Sequence, residues 1–131
     1  MIGKRKKQAG FSLLELMIAM FVVVILISVA VPTYIYTVKH ARETILQENL
    51  DQMRRMIDQY GADKGKLPET LEDLKTAGYV REIPIDPLTD KAEWDEVKGD
   101  DPNATDGRQG LKDVKSLAEG EDLMGKPYKE Y

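Results

Sequence analysis

The chain has 131 residues, no cysteine and a formal net charge of −4. That is about one domain's worth of chain, long enough to bury a core without covalent staples, and the missing thiols exclude both a disulfide framework and a thiolate zinc site. The charge is lopsided: Lys4, Arg5, Lys6 and Lys7 precede every acid, and taking those four positive charges from −4 leaves a body at −8, the wrong sign for a nucleic-acid surface.

After this basic leader, residues 1–10, comes an apolar run from Phe11 to Val31, interrupted by Ser12, Glu15 and Ser28. As a helix rising 1.5 Å per residue it is roughly 30 Å long, the thickness of a bilayer's hydrocarbon core. The cationic leader stays on the cytoplasmic side of such a span, which sends the C-terminal body across the membrane. Pro32 closes the run; a proline inside a helix removes one hydrogen bond and bends or weakens the preceding turn.

Beyond Pro32 the helical period resumes. Leu46, Leu50, Met53, Ile57 and Tyr60 recur at steps of three and four and form one apolar stripe. Arg42, Glu43, Gln47, Glu48, Asp51, Arg54, Arg55 and Asp58 occupy the polar side, with Asp51–Arg55 and Arg54–Asp58 spaced as i,i+4 pairs. Gly61 is the expected stop. The pattern predicts one long helix from Phe11 to Tyr60 with a bend near Pro32, divided into a transmembrane part (11–32) and an amphipathic part (33–61).

Residues 62–131 are punctuated and mixed. Leu67-Pro68-Glu69-Thr70 leads into a short helix through Leu71, Leu74 and Ala77, ended by Gly78. Pro84 and Pro87 keep the next stretch out of regular helix. Trp94–Lys98 and Leu111–Ser116 are the expected strands, and the polar run Gly99–Gly110 between them the hairpin loop. Pro127-Tyr128 and Tyr131 mark the segment from Met124 as a docked tail.

The junction Gly10-Phe11-Ser12-Leu13-Leu14-Glu15-Leu16 combines a basic approach, a glycine, an early acid and a long apolar sequel in one order. It resembles the prepilin signal of type IV pilins and type II secretion pseudopilins. The resemblance implies that a membrane-embedded prepilin peptidase cuts between Gly10 and Phe11 and methylates the Phe11 amine. It also implies that Glu15 and Pro32 serve assembly. Elementary electrostatics gives the acid a purpose as well. A charge in the apolar layer costs on the order of 2–3 kcal/mol unless paired, and cleavage creates an amine on Phe11 that Glu15 of a neighbouring subunit can meet in a low dielectric. Cutting also removes the cations that hold the helix to the cytoplasmic face.

The likeness continues through Lys66-Leu67-Pro68-Glu69-Thr70-Leu71-Glu72-Asp73-Leu74, through Gly78-Tyr79-Val80-Arg81-Glu82-Ile83-Pro84-Ile85-Asp86-Pro87, and through Trp94, Asp113-Val114 and Gly125-Lys126-Pro127-Tyr128. These resemble the body of the major pseudopilin of type II secretion. The implied fold is α+β and pilin-like: a long N-terminal helix packed on a short helix and a small antiparallel sheet. Many type IVa pilins close their C-terminal region with a disulfide, which this chain lacks, and that favours the pseudopilin. Many major pseudopilins bind Ca²⁺ in a C-terminal acidic loop. Here Ala118-Glu119-Gly120-Glu121-Asp122 offers Glu121 and Asp122 as candidate ligands, but Leu123-Met124 follows in place of further oxygen donors, and no metal or other cofactor is assigned.

Other motifs dissolve on inspection. Gly61-Ala62-Asp63-Lys64-Gly65-Lys66-Leu67 is a phosphate loop one residue short, without the closing hydroxyl. Asp101, Asn103 and Asp106 imitate a calcium loop, but its glycine is misplaced and no glutamate closes it. Asn103-Ala104-Thr105 is a formal glycosylation sequon. The lone histidine, His40, sits on a polar helix. No nucleophile–base pair is present, so an enzyme is not expected.

The expected protein is a single-pass inner-membrane subunit with a periplasmic C-terminal domain, which polymerises with copies of itself, with minor pseudopilins and with an inner-membrane assembly platform, and binds no nucleic acid. A type IV pilus subunit for adhesion, motility or DNA uptake is the alternative in the same class; a membrane-tethered periplasmic binding module is the alternative outside it. Three mature N-termini stay open: Phe11 by prepilin cleavage, Val31 by conventional signal cleavage after Ser28-Val29-Ala30, or Met1 in an unprocessed anchor. The length of the apolar run and the acid within it favour Phe11, and sequencing the N-terminus of the membrane-extracted protein is expected to begin there.

Overall fold

A computed structural model describes residues 3–4 and 7–131; Met1, Ile2, and Arg5 and Lys6 of the basic leader lie outside the described residues. The elements run α1 (Leu13–Lys64), α2 (Leu71–Thr76), β1 (Asp95–Asp100), β2 (Gln109–Lys115) and a 3₁₀ turn (Tyr128–Glu130). This is the α+β, pilin-like arrangement expected from the sequence. The chain divides into two compact units, one ending at Thr37 and the other Val38–Tyr131, with α1 contributing to both.

In the first unit α1 contains a stretch long and apolar enough to cross a membrane, and none of that stretch is buried. Phe21, Leu26, Tyr34 and Ile35 are each more than 60 % exposed, so these side chains need a non-aqueous partner outside the chain. The hydroxyls in and beside the run turn inward on the backbone. Ser28 donates to the Val24 carbonyl at 2.7 Å, Thr33 to Val29 at 2.9 Å and Thr37 to Thr33 at 2.9 Å. Back-bonding of this kind satisfies a hydroxyl where no water is at hand. Pro32 lies within α1, which is helical on both sides of it.

The second unit is assembled on the other part of α1. Leu46, Leu50, Met53 and Ile57 are at most 1 % exposed, and Leu71 and Leu74 of α2, Leu111 and Val114 of β2, Val80, Trp94, Ala118 and Tyr128 complete the core. The stripe read from the helical period is therefore the floor of this core, with Tyr60 packed at its margin. Three details depart from the sequence expectation. Gly61 does not end α1: it lies in the helix, and the chain reverses at Gly65, whose φ of 69° is the left-handed conformation that glycine supplies at a helix end. Glu43, placed on the polar side by the period, is nearly buried. Arg54 turns to Asp113 on β2 at 2.7 Å rather than to Asp58.

α2 starts where Asp73 accepts the N–H groups of Glu69 and Thr70, and Glu96 of β1 accepts that of Leu71. It ends on Gly78, at φ 83°, with Tyr79 N–H returning to the Leu74 carbonyl at 2.9 Å. The hairpin extends farther than expected, since both strands enter the polar run and leave only residues 101–108 as loop. β1 and β2 pair antiparallel, with Val97 opposite Asp113 but Lys98 opposite Leu111, so Lys112 is an extra residue in a bulge. The bulge resolves a conflict of period. Leu111 and Val114 are three apart and would face opposite sides of a regular strand. One inserted residue turns both into the core, where each is 0 % exposed.

The 67–68 segment crosses close over β2: Leu111 N–H donates to the Pro68 carbonyl at 2.7 Å, and Leu67 N–H to Asp101 at 2.9 Å. A Cβ at Gly110 would stand 2.6 Å from Leu67 Cβ and 3.1 Å from the Pro68 oxygen, whereas one at Gly99 would meet only the flexible Lys112 side chain. Gly110→Ala is expected to destabilise this unit by about 1–3 kcal/mol, and Gly99→Ala far less, measured by thermal unfolding followed through Trp94 fluorescence.

Candidate processing and assembly site

Residues 7–12 are non-helical and α1 begins at Leu13. The cause of this start is local. Ser12 Oγ accepts the Glu15 N–H at 3.1 Å while the Glu15 carboxylate accepts the Ser12 N–H at 3.2 Å. The Leu16 N–H donates to the Ser12 carbonyl as the first helical bond. This reciprocal Ser-x-x-Glu arrangement is a capping box, which satisfies two of the donors a helix leaves orphaned at its N-terminus. The acid also stands at the positive end of the helix dipole. In the sequence Ser12 reads as a polar interruption of the apolar run, and its spacing to Glu15 is the one local signal of the cap.

The Gly10–Phe11 peptide bond therefore lies just outside the helix. Phe11 is 93 % exposed, and with Glu15, Leu16 and Ala19 it lines a shallow concavity of 280 Å³. Gly10 does not occupy the left-handed region, and a side chain there would meet nothing within 4 Å. Neither backbone strain nor crowding within the fold demands glycine at that position. Pro32 is far from this group, about 25 Å along the same helix. The structure thus gathers Gly10, Phe11 and Glu15 at one end of α1 and leaves Pro32 apart.

The other sequence candidates are engaged elsewhere. Both oxygens of Asp122 accept protein hydrogen bonds: the Tyr131 hydroxyl at 2.6 Å on one, the Met124 and Lys126 N–H groups at 2.8 Å on the other. The Tyr131 hydroxyl, with these N–H donors, holds the Asp122 carboxyl below its ordinary range. Glu121 is exposed and belongs to a short bridge with Pro127. Asp101 closes its own loop through the Leu67 and Asn103 N–H groups, and Asp106 pairs with Arg108 at 2.9 Å. Among the described residues no group of three or more His, Asp or Glu side chains is gathered for a metal. Hydrogens of three protein donors thus already point at the Asp122 carboxylate.

Ser12→Ala is expected to loosen the first turn by about 1 kcal/mol, read as about fivefold faster amide exchange at Glu15 and Leu16 in micelles. Glu15→Gln keeps the reciprocal bond of the box and is expected to exchange near the wild-type rate.

The chain is similar in sequence to known proteins. The family model for the prokaryotic N-terminal methylation motif matches residues 5–31. The competence protein ComGC of Halalkalibacterium halodurans is 33 % identical over 73 residues, covering 56 % of this chain and 72 % of that protein. The type II secretion system core protein G of Pseudomonas aeruginosa is 24 % identical over 100 residues, covering 64 % of this chain and 70 % of that protein. No solved structure matches the chain.

Proposed function

The chain belongs to the type IV pilin-like family, and from that premise we propose that it is the major pseudopilin of a type II protein secretion system, trimmed and methylated at Phe11 before it polymerises. Pilin-like chains are filament subunits rather than enzymes, and this one is membrane-anchored through a single apolar helix.

The observation that carries the reading is the processing junction. Gly10 is a glycine that the fold itself does not need, so the demand for it lies with what binds there, and a protease approaching the backbone closely is such a demand. In support, the capping box starts α1 at Leu13 and leaves the Gly10–Phe11 bond outside the helix. Cleavage removes the leader cations that favour the cytoplasmic face and creates an amine on Phe11. In the filament that amine meets Glu15 of the adjoining subunit. The exposed apolar face of α1 then exchanges lipid for the same face of its neighbours, and the Val38–Tyr131 unit is carried outside the inner membrane, in the periplasm. The prepilin peptidase, further copies of the chain, minor pseudopilins and the assembly platform are its partners.

The secretion assignment draws on the match to core protein G and on the body between Pro68 and Pro87. The match to a competence protein, higher in identity over a shorter stretch, favours a second reading: the subunit of a filament for DNA uptake. Deleting the gene separates the two. Loss of protein export with normal transformation supports the first, and loss of transformation with normal export the second. Glu15→Val is expected to leave cleavage intact and lower filament yield by at least about tenfold, because an uncompensated amine in a low dielectric costs several kcal/mol; wild-type filament from that variant would sink the proposed contact.

A further inference from the structure

The segment from Gly120 to Tyr131 is fastened to α1 by an arrangement that neither processing nor assembly uses. Glu43 is only 6 % exposed. Its carboxylate accepts the Tyr128 hydroxyl at 2.8 Å and the Leu123 N–H at 3.2 Å. About three helical turns further along α1, Arg54 donates to the main-chain oxygens of Val114 at 2.9 Å and Tyr131 at 2.8 Å while its Nε pairs with Asp113. Asp122 closes the loop on itself through the Tyr131 hydroxyl and the Met124 and Lys126 N–H groups. The rings of Tyr128 and Tyr131 meet edge to face at 5.7 Å, and Lys126 Nζ stands 5.1 Å over the Tyr131 ring.

We infer that this is a metal-free clasp: two tyrosine hydroxyls and one arginine hold the acidic loop to α1, and the loop neither binds nor needs calcium. A calcium ion takes six to eight oxygen ligands, each presenting a lone pair to the ion. Here both oxygens of Asp122 face hydroxyl and amide hydrogens, and Oε1 of Glu43 accepts two more from Tyr128 and Leu123. Binding a cation would break those bonds, and among the described residues no group of three or more His, Asp or Glu side chains is gathered to compensate. The tyrosines solve the problem that a cation solves elsewhere. They place partial positive charge on carboxylates in a partly dry site and tie distant residues together, and both require the phenols to stay protonated.

The surroundings of the two phenols favour their protonated form. Burial, followed by the Glu43 carboxylate and then Asp122, pushes the Tyr128 hydroxyl up to about 12 from an ordinary 10.0. Burial, followed by Asp122, Glu43 and Tyr128, pushes Tyr131 up as well, with Lys126 and Arg54 the cations facing it. A raised folded-state pKa stabilises fully below the unfolded value and loses its effect as pH rises through the folded one. The Tyr128 contribution is therefore complete below about pH 10 and gone above about pH 12. Asp122 runs the other way: its lowered carboxyl contributes above the ordinary 3.8 and its effect is lost as pH falls below that value.

The test is thermal unfolding of the full chain in detergent micelles, followed by the fluorescence of Trp94, which is buried with its indole N–H on the Pro84 carbonyl. The midpoint is expected to be the same in millimolar calcium chloride, in magnesium chloride and in EDTA. Tyr128→Phe and Tyr131→Phe, which keep the rings and delete the hydroxyls, are each expected to lower it by about 4–8 °C. A midpoint raised by calcium and not by magnesium overturns the inference, as does calorimetric calcium binding abolished by Asp122→Asn. Wild-type midpoints in both phenylalanine variants overturn the clasp itself.

Discussion

Burial of one stripe on α1 is the interaction from which the second unit is built. Leu46, Leu50, Met53 and Ile57 lose nearly all contact with solvent, and each such side chain contributes roughly 1.5–3 kcal/mol on transfer from water. α2, the hairpin and the docked tail are the three things laid over that stripe. Each is too small to stand alone: α2 has six residues and the sheet two strands, lengths at which isolated helices and hairpins are marginal in water. They persist because each puts apolar side chains onto the same helix.

The preceding stretch of α1 obeys the opposite rule. Its side chains are as apolar as those of the stripe, yet none is buried within the chain. Apart from the bond that Pro32 removes, the helix satisfies its own backbone, and the hydroxyls of Ser28, Thr33 and Thr37 turn back onto carbonyls, so the surface offered outward is almost wholly apolar. Such a surface suits lipid and suits copies of itself. A subunit that passes from one to the other needs that interchangeability, and Glu15 is the one charge on it.

The acidity of the body has a structural use. Carboxylates of Asp73, Glu96, Asp101, Asp86, Asp122 and Glu43 each accept main-chain N–H groups at helix starts, turns and crossings. Asp86 is fully buried, held by the Ser116 hydroxyl at 2.6 Å and by the Leu88 N–H. In a small unit with little regular structure, many backbone donors lack a ladder partner, and acids supply charge-assisted acceptors for them. A net negative charge follows from that arrangement without any basic ligand to explain it.

Much of this was legible in the sequence because its causes are local. The apolar run, the 3.6-residue stripe, the turn at Gly78 and the processing junction all rest on patterns within a few helical turns. Gly61 misled because a glycine can also lie inside a helix; the choice of Gly65 was made where the chain had to reverse toward Leu67. The strands were placed but their ends and the bulge at Lys112 were not, since only the core decides that Leu111 and Val114 must face the same way. Glu43 and Arg54 looked like solvated helix positions, and only the return of Tyr128, Asp113 and Tyr131 to α1 gave them partners. Sequence alone determined which segment seeks an apolar medium and where the N-terminal methylation motif lies, because periodicity and charge order are written along the chain. Tertiary structure decided which acids are spent as acceptors, because that depends on donors up to 85 positions away that no local pattern records.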